Sequence, residues 1–368
     1  MHIALVSTNT YQTPPPGYGG EVAIWDLCEA LCKLGHTVDM YATPLSRQPP
    51  RGRLFYMRCS HGTSIPHFVE CEREVWGRYK KEILSADVVH DFSHCKGVAE
   101  AMFHWTDRRN VVSTLIGSLY WHPIPPFNVV VWSEAHRQMA LTGNTGYEGT
   151  RFPQLGGWSR PVKDCRVTLG GVDTELYRPR GDHEDYYLWF SRMHPCKGFD
   201  VAIALAKDMG FPLKIMGDRP EDAPTPDHQF YGRMVLDMIR GVPNIEFVPL
   251  PPGPERFKVK LETMQRAKAF LYPVEFHECF GLAVVEAMAC GVPIITTIRG
   301  SMPELVENGV NGFICHDEAH MRKAVENVDC ISREDCRRIA VEKFSREKMA
   351  ERYLKLYEAV MAGEVWGL

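Results

Sequence analysis

The sequence predicts an α/β protein built as two domains, each a doubly wound parallel sheet. Three observations carry that prediction. The chain opens strand, turn, helix, strand, the unit that starts such a sheet. Short apolar runs without polar alternation recur along it, as strands covered by helices on both faces require. The series then restarts near Tyr186, after a stretch rich in Gly, Pro and polar residues. Its 368 residues agree with this division, because single cores stop growing near ~250–300 residues.

The first strand is His2 to Val6, and the turn TPPPGYGG follows. A helix begins in EVAIWDLCEALCKLGH, with Val22, Ile24, Trp25, Leu27, Leu31 and Leu34 forming one buried face. Gly35 ends it, and Thr37 to Ala42 is the second strand. Strand-like runs recur at Val88–His90, Val111–Leu115 and Val129–Trp132, with helix-like stretches between them. The segment 143–165 has no period and reads as an elaborated loop; CRVTLGG is then a strand and DTELYRPRG a linker. The second series runs YYLWFSRM (strand), FDVAIALAKDMG (helix), PLKIMGD (strand), NIEFVPL (strand), RFKVKLETMQRAK (helix), AFLYPV (strand), GLAVVEAMACG (helix) and PIITT (strand). SREKMAERYLKLYEAVM closes the chain as a helix, and the domain boundary falls near 170–185.

Composition narrows the function classes. Hydrophobic residues at 45% and charged residues at 24% exclude intrinsic disorder, collagen and coiled coil. Lys and Arg number 42 against 46 Asp and Glu, so no bulk basic character points to nucleic acid or anionic lipid. Twelve cysteines include no Cys-x-x-Cys pair, which argues against a zinc ribbon or a thioredoxin-like site. MHIALVSTNT lacks the pattern of a signal peptide, and no apolar stretch reaches the ~18 residues of a membrane span. The expectation is a cytoplasmic protein whose cysteines are mostly small buried hydrophobes.

Three motifs carry chemistry. Pro16-Gly17-Tyr18-Gly19-Gly20 joins the first strand to the first helix, where glycine lets backbone N–H groups approach an anion. Its spacing is not G-x-G-x-x-G, and no acidic residue ends the second strand, so dinucleotide binding fits poorly. Taken alone it reads equally as a plain turn. Arg192 and Lys197, in RMHPCKG, follow a strand and precede a helix. Ligands of open α/β sheets sit there, and an Arg fork with a Lys point charge suits a phosphate. Two solvated basic residues would be the bland reading. The third motif is the strongest, EFHECFGLAVVEAMACGVP from Glu275 to Pro293. Glu278 falls in its loop, and Glu286 is expected two turns into the helix that starts near Gly281. Two acidic residues in an otherwise apolar element need partners or a ligand, and sugar hydroxyls are good ones.

Residues 273–314 closely resemble the donor-site region of the retaining glycosyltransferases of family 4, which have the GT-B fold, and the pair Glu278 and Glu286 matches that family's E-x7-E signature. PPPGYGG with Glu21, ADVVHDFSH, VVWSEAHRQM, LGGVDTELYRP, FSRMHPCKGFDVAI and FSREKMAERYLKLY resemble further family segments in the same order. The resemblance implies two Rossmann-like domains facing across a cleft, residues 1–170 on the acceptor side and 180–345 on the donor side, with the closing helix 346–368 packing back on the first. It implies transfer of a sugar from a UDP-, GDP- or ADP-sugar to a hydroxyl acceptor, with retention and without a metal or other cofactor. Glu286 would hold the ribose hydroxyls and Glu278 the donor sugar. Backbone N–H groups at Phe280, Gly281 and Leu282 would meet the sugar and diphosphate. Arg192 and Lys197 would neutralise the leaving diphosphate, and Gly19 and Gly20 would lie over the phosphates.

One departure stands out. Relatives read Thr-Leu-His-Gly after the fifth strand, where this chain has Thr114-Leu115-Ile116-Gly117. Ile116 cannot hydrogen-bond a sugar or phosphate, which leaves His94, His122 or His90 as candidates for that contact. It also keeps open a nucleotide-sugar-binding protein with weak or lost transfer, or an epimerase of the same fold. His90, His94 and Cys95 as a metal cluster lack a fourth ligand, and His90 reads better as a core histidine. The run Tyr120 to Phe127 is either a sugar-stacking wall or loop packing. Loop 143–165, with Tyr147, Arg151, Trp158 and Arg160, shapes either an acceptor pocket or an oligomer contact. Partners are thus a nucleotide sugar and an unnamed hydroxyl acceptor, with no nucleic acid, and with peripheral membrane contact and oligomeric state open. Cys95, Cys196 and Cys279 fall inside motifs, so their alkylation is expected to respond to donor.

Overall fold

The structure is a computed structural model that describes residues 1–15, 19–59, 65–117, 127–153 and 160–368. The chain divides into two compact units. The first holds residues 1–148, 154–171 and 346–368; the second holds 149–153 and 172–345.

In the first unit the strands are β1 (His2–Val6), β2 (Thr37–Ala42), β3 (Leu54–Tyr56), β4 (Val88–Asp91), β5 (Val111–Thr114), β6 (Val129–Val131) and β7 (Cys165–Val167). They form one sheet in the order β3-β2-β1-β4-β5-β6-β7, every pairing parallel. Helices α1 (Gly20–Lys33), α2 (Ile65–Ser85), α3 (Gly97–Trp105), α4 (Glu134–Thr142) and α12 (Arg346–Met361) belong to the same unit. Tyr41, Trp76, Val89, Val98, Val111 and Phe127 meet in its core. Helix α12 is bound there by a buried polar chain. His90 uses both ring nitrogens, Nδ1 with the Tyr357 hydroxyl at 2.6 Å and Nε2 with Thr114 Oγ1 at 2.7 Å. Trp132 Nε1 donates to the Tyr353 hydroxyl at 2.9 Å.

In the second unit the strands are β8 (Tyr187–Phe190), β9 (Leu213–Asp218), β10 (Ile245–Leu250), β11 (Ala269–Tyr272), β12 (Ile294–Thr297) and β13 (Gly312–Cys315). The order is β10-β9-β8-β11-β12-β13, again all parallel. Helices α5 (Phe199–Met209), α6 (Pro226–Ile239), α7 (Glu255–Gln265), α8 (Leu282–Ala289), α9 (Met302–Leu305), α10 (Glu318–Asn327) and α11 (Arg333–Phe344) complete it. Trp189, Phe199, Ile203, Ile215, Leu271 and Ile295 fill the core. The sequence reading passed from PLKIMGD straight to NIEFVPL. The structure puts α6 between them, as a parallel pairing requires a crossover. Strands β3 and β13 and helices α10 and α11 were also absent from that reading.

Loop 143–165 does not act as one piece. Residues 149–153 belong to the second unit because Arg151 pairs there with Glu275 and, at 3.0 Å, with Asp200.

Candidate functional site

Each sheet reverses its strand order once, between β1 and β4 in the first unit and between β8 and β11 in the second. Connections leave in opposite directions at such a point, opening a crevice outside the carboxyl ends of the strands where ligands of this architecture bind. The strongest motifs fall there. Strand β8 runs out into Ser191–Gly198, which carries Arg192 and Lys197; β11 runs out into Pro273–Gly281, which carries Glu275 and Glu278.

The two loops are stitched together. The Cys196 carbonyl accepts from the backbone N–H of Glu275 at 3.0 Å and of Phe276 at 3.2 Å. Trp189 Nε1 donates to the Lys197 carbonyl at 3.0 Å. Gly198 has φ +77°, and a Cβ there would lie 2.0 Å from the Pro273 carbonyl oxygen, so only glycine lets the loops approach this closely. The result aims Lys197 at Glu278. Lys197 is 8% exposed; its Nζ donates to Glu278 Oε2, and it lies 4.8 Å from the centre of the Phe276 ring. The Tyr272 hydroxyl donates to the same Oε2 at 2.7 Å. Burial pushes the Glu278 carboxyl up, but the Lys197 charge, its hydrogen bond, the Tyr272 bond and the Arg192 charge outweigh it and hold the pKa below the usual value. Arg192 is exposed on the same loop.

Gly300 presses on Glu278 from the other side. Its φ is +60°, and a Cβ would come within 2.2 Å of the Glu278 nitrogen. The next residue, Ser301, donates its N–H to the Glu278 carbonyl at 2.9 Å and its hydroxyl to the Phe280 carbonyl at 2.7 Å.

Glu286 stands about one turn into α8 rather than two, because the helix starts at Leu282. It is 4% exposed and has protein partners of its own. Lys260 Nζ donates to Glu286 Oε1 at 2.8 Å and to the Tyr177 hydroxyl at 2.9 Å. That hydroxyl in turn donates to Glu286 Oε1 at 2.8 Å. The expectation that both acidic residues need partners is therefore met twice, each time by one lysine and one tyrosine. Tyr177, Lys260 and Tyr272 were not among the candidates. A signal existed for one: Arg256, Lys260 and Met264 are the buried residues of α7, four apart, so a lysine sits on that helix's inner stripe.

In the first unit, the loop after β1 meets the loop after β4. His94 Nε2 shares a hydrogen bond with Thr10 Oγ1 at 2.8 Å, and the Phe68 ring packs edge-on at 5.5 Å. Burial, with the Lys96 charge adding, pulls the His94 pKa down to about 4, so the ring is neutral at pH 7. Glu21 is buried and accepts from Thr8 Oγ1 at 2.5 Å. Ile116 is half-buried just beyond β5; a Cβ on Gly20 would lie 2.7 Å from its Cδ1, so this apolar side chain packs on the start of α1. His122, Tyr120, Trp121, Gly17, Tyr18 and Trp158 lie outside the described residues.

Several expectations change. Phe127 belongs to the core and not to a sugar-facing wall. His90, by contrast, is the hydrogen-bonded core histidine expected, its ring nitrogens paired with Tyr357 and Thr114. Cys95, Cys196 and Cys279 are buried, and burial raises the first and last to about 12, so they are poor alkylation probes. The exposed thiols are Cys59 and Cys330. Among the described residues no helix is long and apolar enough to cross a membrane.

A family model described as glycosyl transferases group 1 matches residues 257–349. N-acetyl-alpha-D-glucosaminyl L-malate synthase of Bacillus anthracis is 35% identical over 225 residues, covering 55% of this chain and 55% of that protein. The chain spans about half the length of the curated relatives it matches first. Among solved structures, a glycosyltransferase involved in avilamycin A biosynthesis aligns with a TM-score of 0.70 at 23% identity, covering 99% of both chains. An Anabaena protein, HepE, solved in complex with UDP-glucose, aligns with a TM-score of 0.65 at 17% identity over 98% of this chain and 100% of its own. The chain has the two-domain, Rossmann-like GT-B fold that these structures share.

Proposed function

We propose that this GT-B chain is a retaining glycosyltransferase that moves a sugar from a nucleoside-diphosphate sugar to a hydroxyl acceptor. The observation that carries the reading is the second unit's switch point. There Arg192 and Lys197 from one loop converge with Glu278 from the next, and Glu286 stands one turn into the following helix. Cleaving the bond between sugar and diphosphate builds negative charge on the leaving oxygens and positive character on the sugar ring. Lys197 and Arg192 are fixed cations for the first. This supports a reaction in which protein cations, not a metal, offset the leaving charge. Glu278 is held ionised, so it accepts from sugar hydroxyls; Glu286 does the same for ribose. Lys197 rests on Glu278, and donor binding lets its ammonium serve the diphosphate as well. Retention follows if the acceptor attacks the face the diphosphate leaves, with a phosphate oxygen taking the acceptor's proton. The donor is a UDP-, GDP- or ADP-sugar; the alignment with a UDP-glucose complex favours trying UDP-glucose first. His94 and Ile116, beyond β4 and β5 of the first unit, are the acceptor-side candidates, and Gly19 and Gly20, at the start of α1, are candidates for the donor phosphates.

Ile116 favours a second reading, a nucleotide-sugar-binding protein without transfer, because its apolar side chain fills the position where the family that the sequence resembles has a histidine. Radiolabelled UDP-, GDP- and ADP-sugars incubated with the protein and a panel of hydroxyl acceptors separate the two. Labelled product with nucleotide release supports transfer. Tight donor binding with neither transfer nor hydrolysis supports the second reading and overturns the first, and a sugar isomer formed without acceptor points to epimerisation.

A further inference from the structure

We infer that Tyr177 and Lys260 are positioning residues that set Glu286 up as a ribose-binding carboxylate; this rests on the nucleotide reading above. A carboxylate has two oxygens and about four lone-pair positions. Both protein donors use one of them: Lys260 Nζ and the Tyr177 hydroxyl each donate to Oε1, at 2.8 Å. Oε2 takes no hydrogen bond from any described residue. The carboxylate is therefore anchored through one oxygen and offers the other.

The anchors are themselves fixed. Lys260 is 1% exposed, and its ammonium lies 5.2 Å from the ring centres of both Tyr177 and Phe190, the last residue of β8. The Tyr177 ring meets Phe257 edge-on at 5.7 Å, and its carbonyl accepts from Arg337 at 2.7 Å. The interaction is thus built within the second unit from the segment before β8, α7 and α8.

The chemistry follows from the charge. An ionised carboxylate only accepts, so it suits a vicinal diol, in which both hydroxyls can donate. Lys260 sets a positive charge against Glu286 Oε1 at 2.8 Å inside the buried site. The Tyr177 hydroxyl fixes which oxygen faces outward. If the trio served stability alone, a well-packed apolar trio would do as well, since buried ion pairs seldom outperform hydrophobic replacements.

The test is calorimetric titration of the full chain with UDP, GDP and ADP, then with the 2′,3′-dideoxy form of whichever binds. The wild type is expected to prefer the ribose form by about tenfold or more, the weight of one charge-assisted hydrogen bond. Tyr177→Phe should cut that preference by about threefold and Lys260→Met by about tenfold, with dideoxy affinity held within about twofold. A merely structural role would weaken both ligands alike. If Lys260→Met does not fold, Tyr177→Phe, which loses a single oxygen, decides alone. If Glu286→Gln loses the preference while the other two variants keep it, the positioning inference is overturned and the nucleotide reading stands. If Glu286→Gln keeps it, Glu286 does not hold ribose; if none of the three diphosphates binds, the reading and the inference fall together.

Discussion

Replacing Lys260 by Met tests the physics of the second unit most sharply. Methionine keeps the length and apolar stem of lysine, so packing changes little while the ammonium disappears. Glu286 is left buried at 4% exposure with one neutral donor, the Tyr177 hydroxyl. At 2.8 Å and an effective dielectric of about 20, the lost attraction has a scale of about 6 kcal/mol. Local relaxation and water return part of this, so the net cost should be about 3–5 kcal/mol, the usual range for one-sided removal of a buried pair. For a unit of this size that lowers the melting temperature by roughly 10 °C. Hydrogen exchange across a urea series, read in peptides covering Tyr187–Phe190 and Ala269–Tyr272, isolates this unit from the other. Adding Glu286→Gln to Lys260→Met should recover at least about half the loss, because the amide is neutral and still accepts from Tyr177. A single variant within about 1 kcal/mol of wild type, or a double variant no better than the single, would refute the reasoning.

Three shorter predictions concern the same unit. Lys197→Met should lower turnover by about 10²–10³ while changing donor affinity much less, since its charge matters most as the diphosphate leaves; steady-state kinetics beside calorimetry would show the opposite split if it serves only ground-state binding. Gly300→Ala should weaken donor binding by about tenfold or more, because a Cβ 2.2 Å from the Glu278 nitrogen must displace that residue; unchanged affinity would mean the loop yields without moving Glu278. Burial, with Arg192 and Lys197 adding, lowers His194 from 6.5 to about 4. The folded state therefore resists a proton that the unfolded chain accepts, and stability is present above pH 6.5 and lost as pH falls towards 4 at up to about 1.4 kcal/mol per pH unit. His194→Asn should reduce that slope by one proton in urea midpoints taken between pH 7 and 4.5; an unchanged slope would show that His194 already titrates normally in the folded chain.

Much of the fold was legible because parallel strands covered on both faces leave short apolar runs, and β1, β8, β11 and β12 each do. Helix α6 was missed although Tyr231, Met234, Val235, Met238 and Ile239 recur at helical spacing and pack on the core; Pro226, His228 and Gly232 interrupt the pattern in its first half. The acidic motif was equally legible: Glu278 and Glu286 stand out because their neighbours are apolar. Their partners were hidden for a topological reason. Tyr177 and Lys260 lie 109 and 26 positions from Glu286, and nothing local links them before the sheet is assembled. Arg151 shows the same limit, since its segment reads as loop until Glu275 and Asp200 are placed beside it. The cysteines erred in the other direction: motif membership suggested access, and burial removed it.

The proposed reaction breaks the bond between a sugar and a nucleoside diphosphate with retention. Proton NMR of a running reaction, with an α-linked nucleotide sugar as donor, tests this directly by following nucleotide release and the anomeric signal of the first product together. Nucleotide release should be coupled to a product that first appears as the α anomer, both slowed together in Lys197→Met. A first product in the β configuration, or no nucleotide release with any UDP-, GDP- or ADP-sugar, would contradict it.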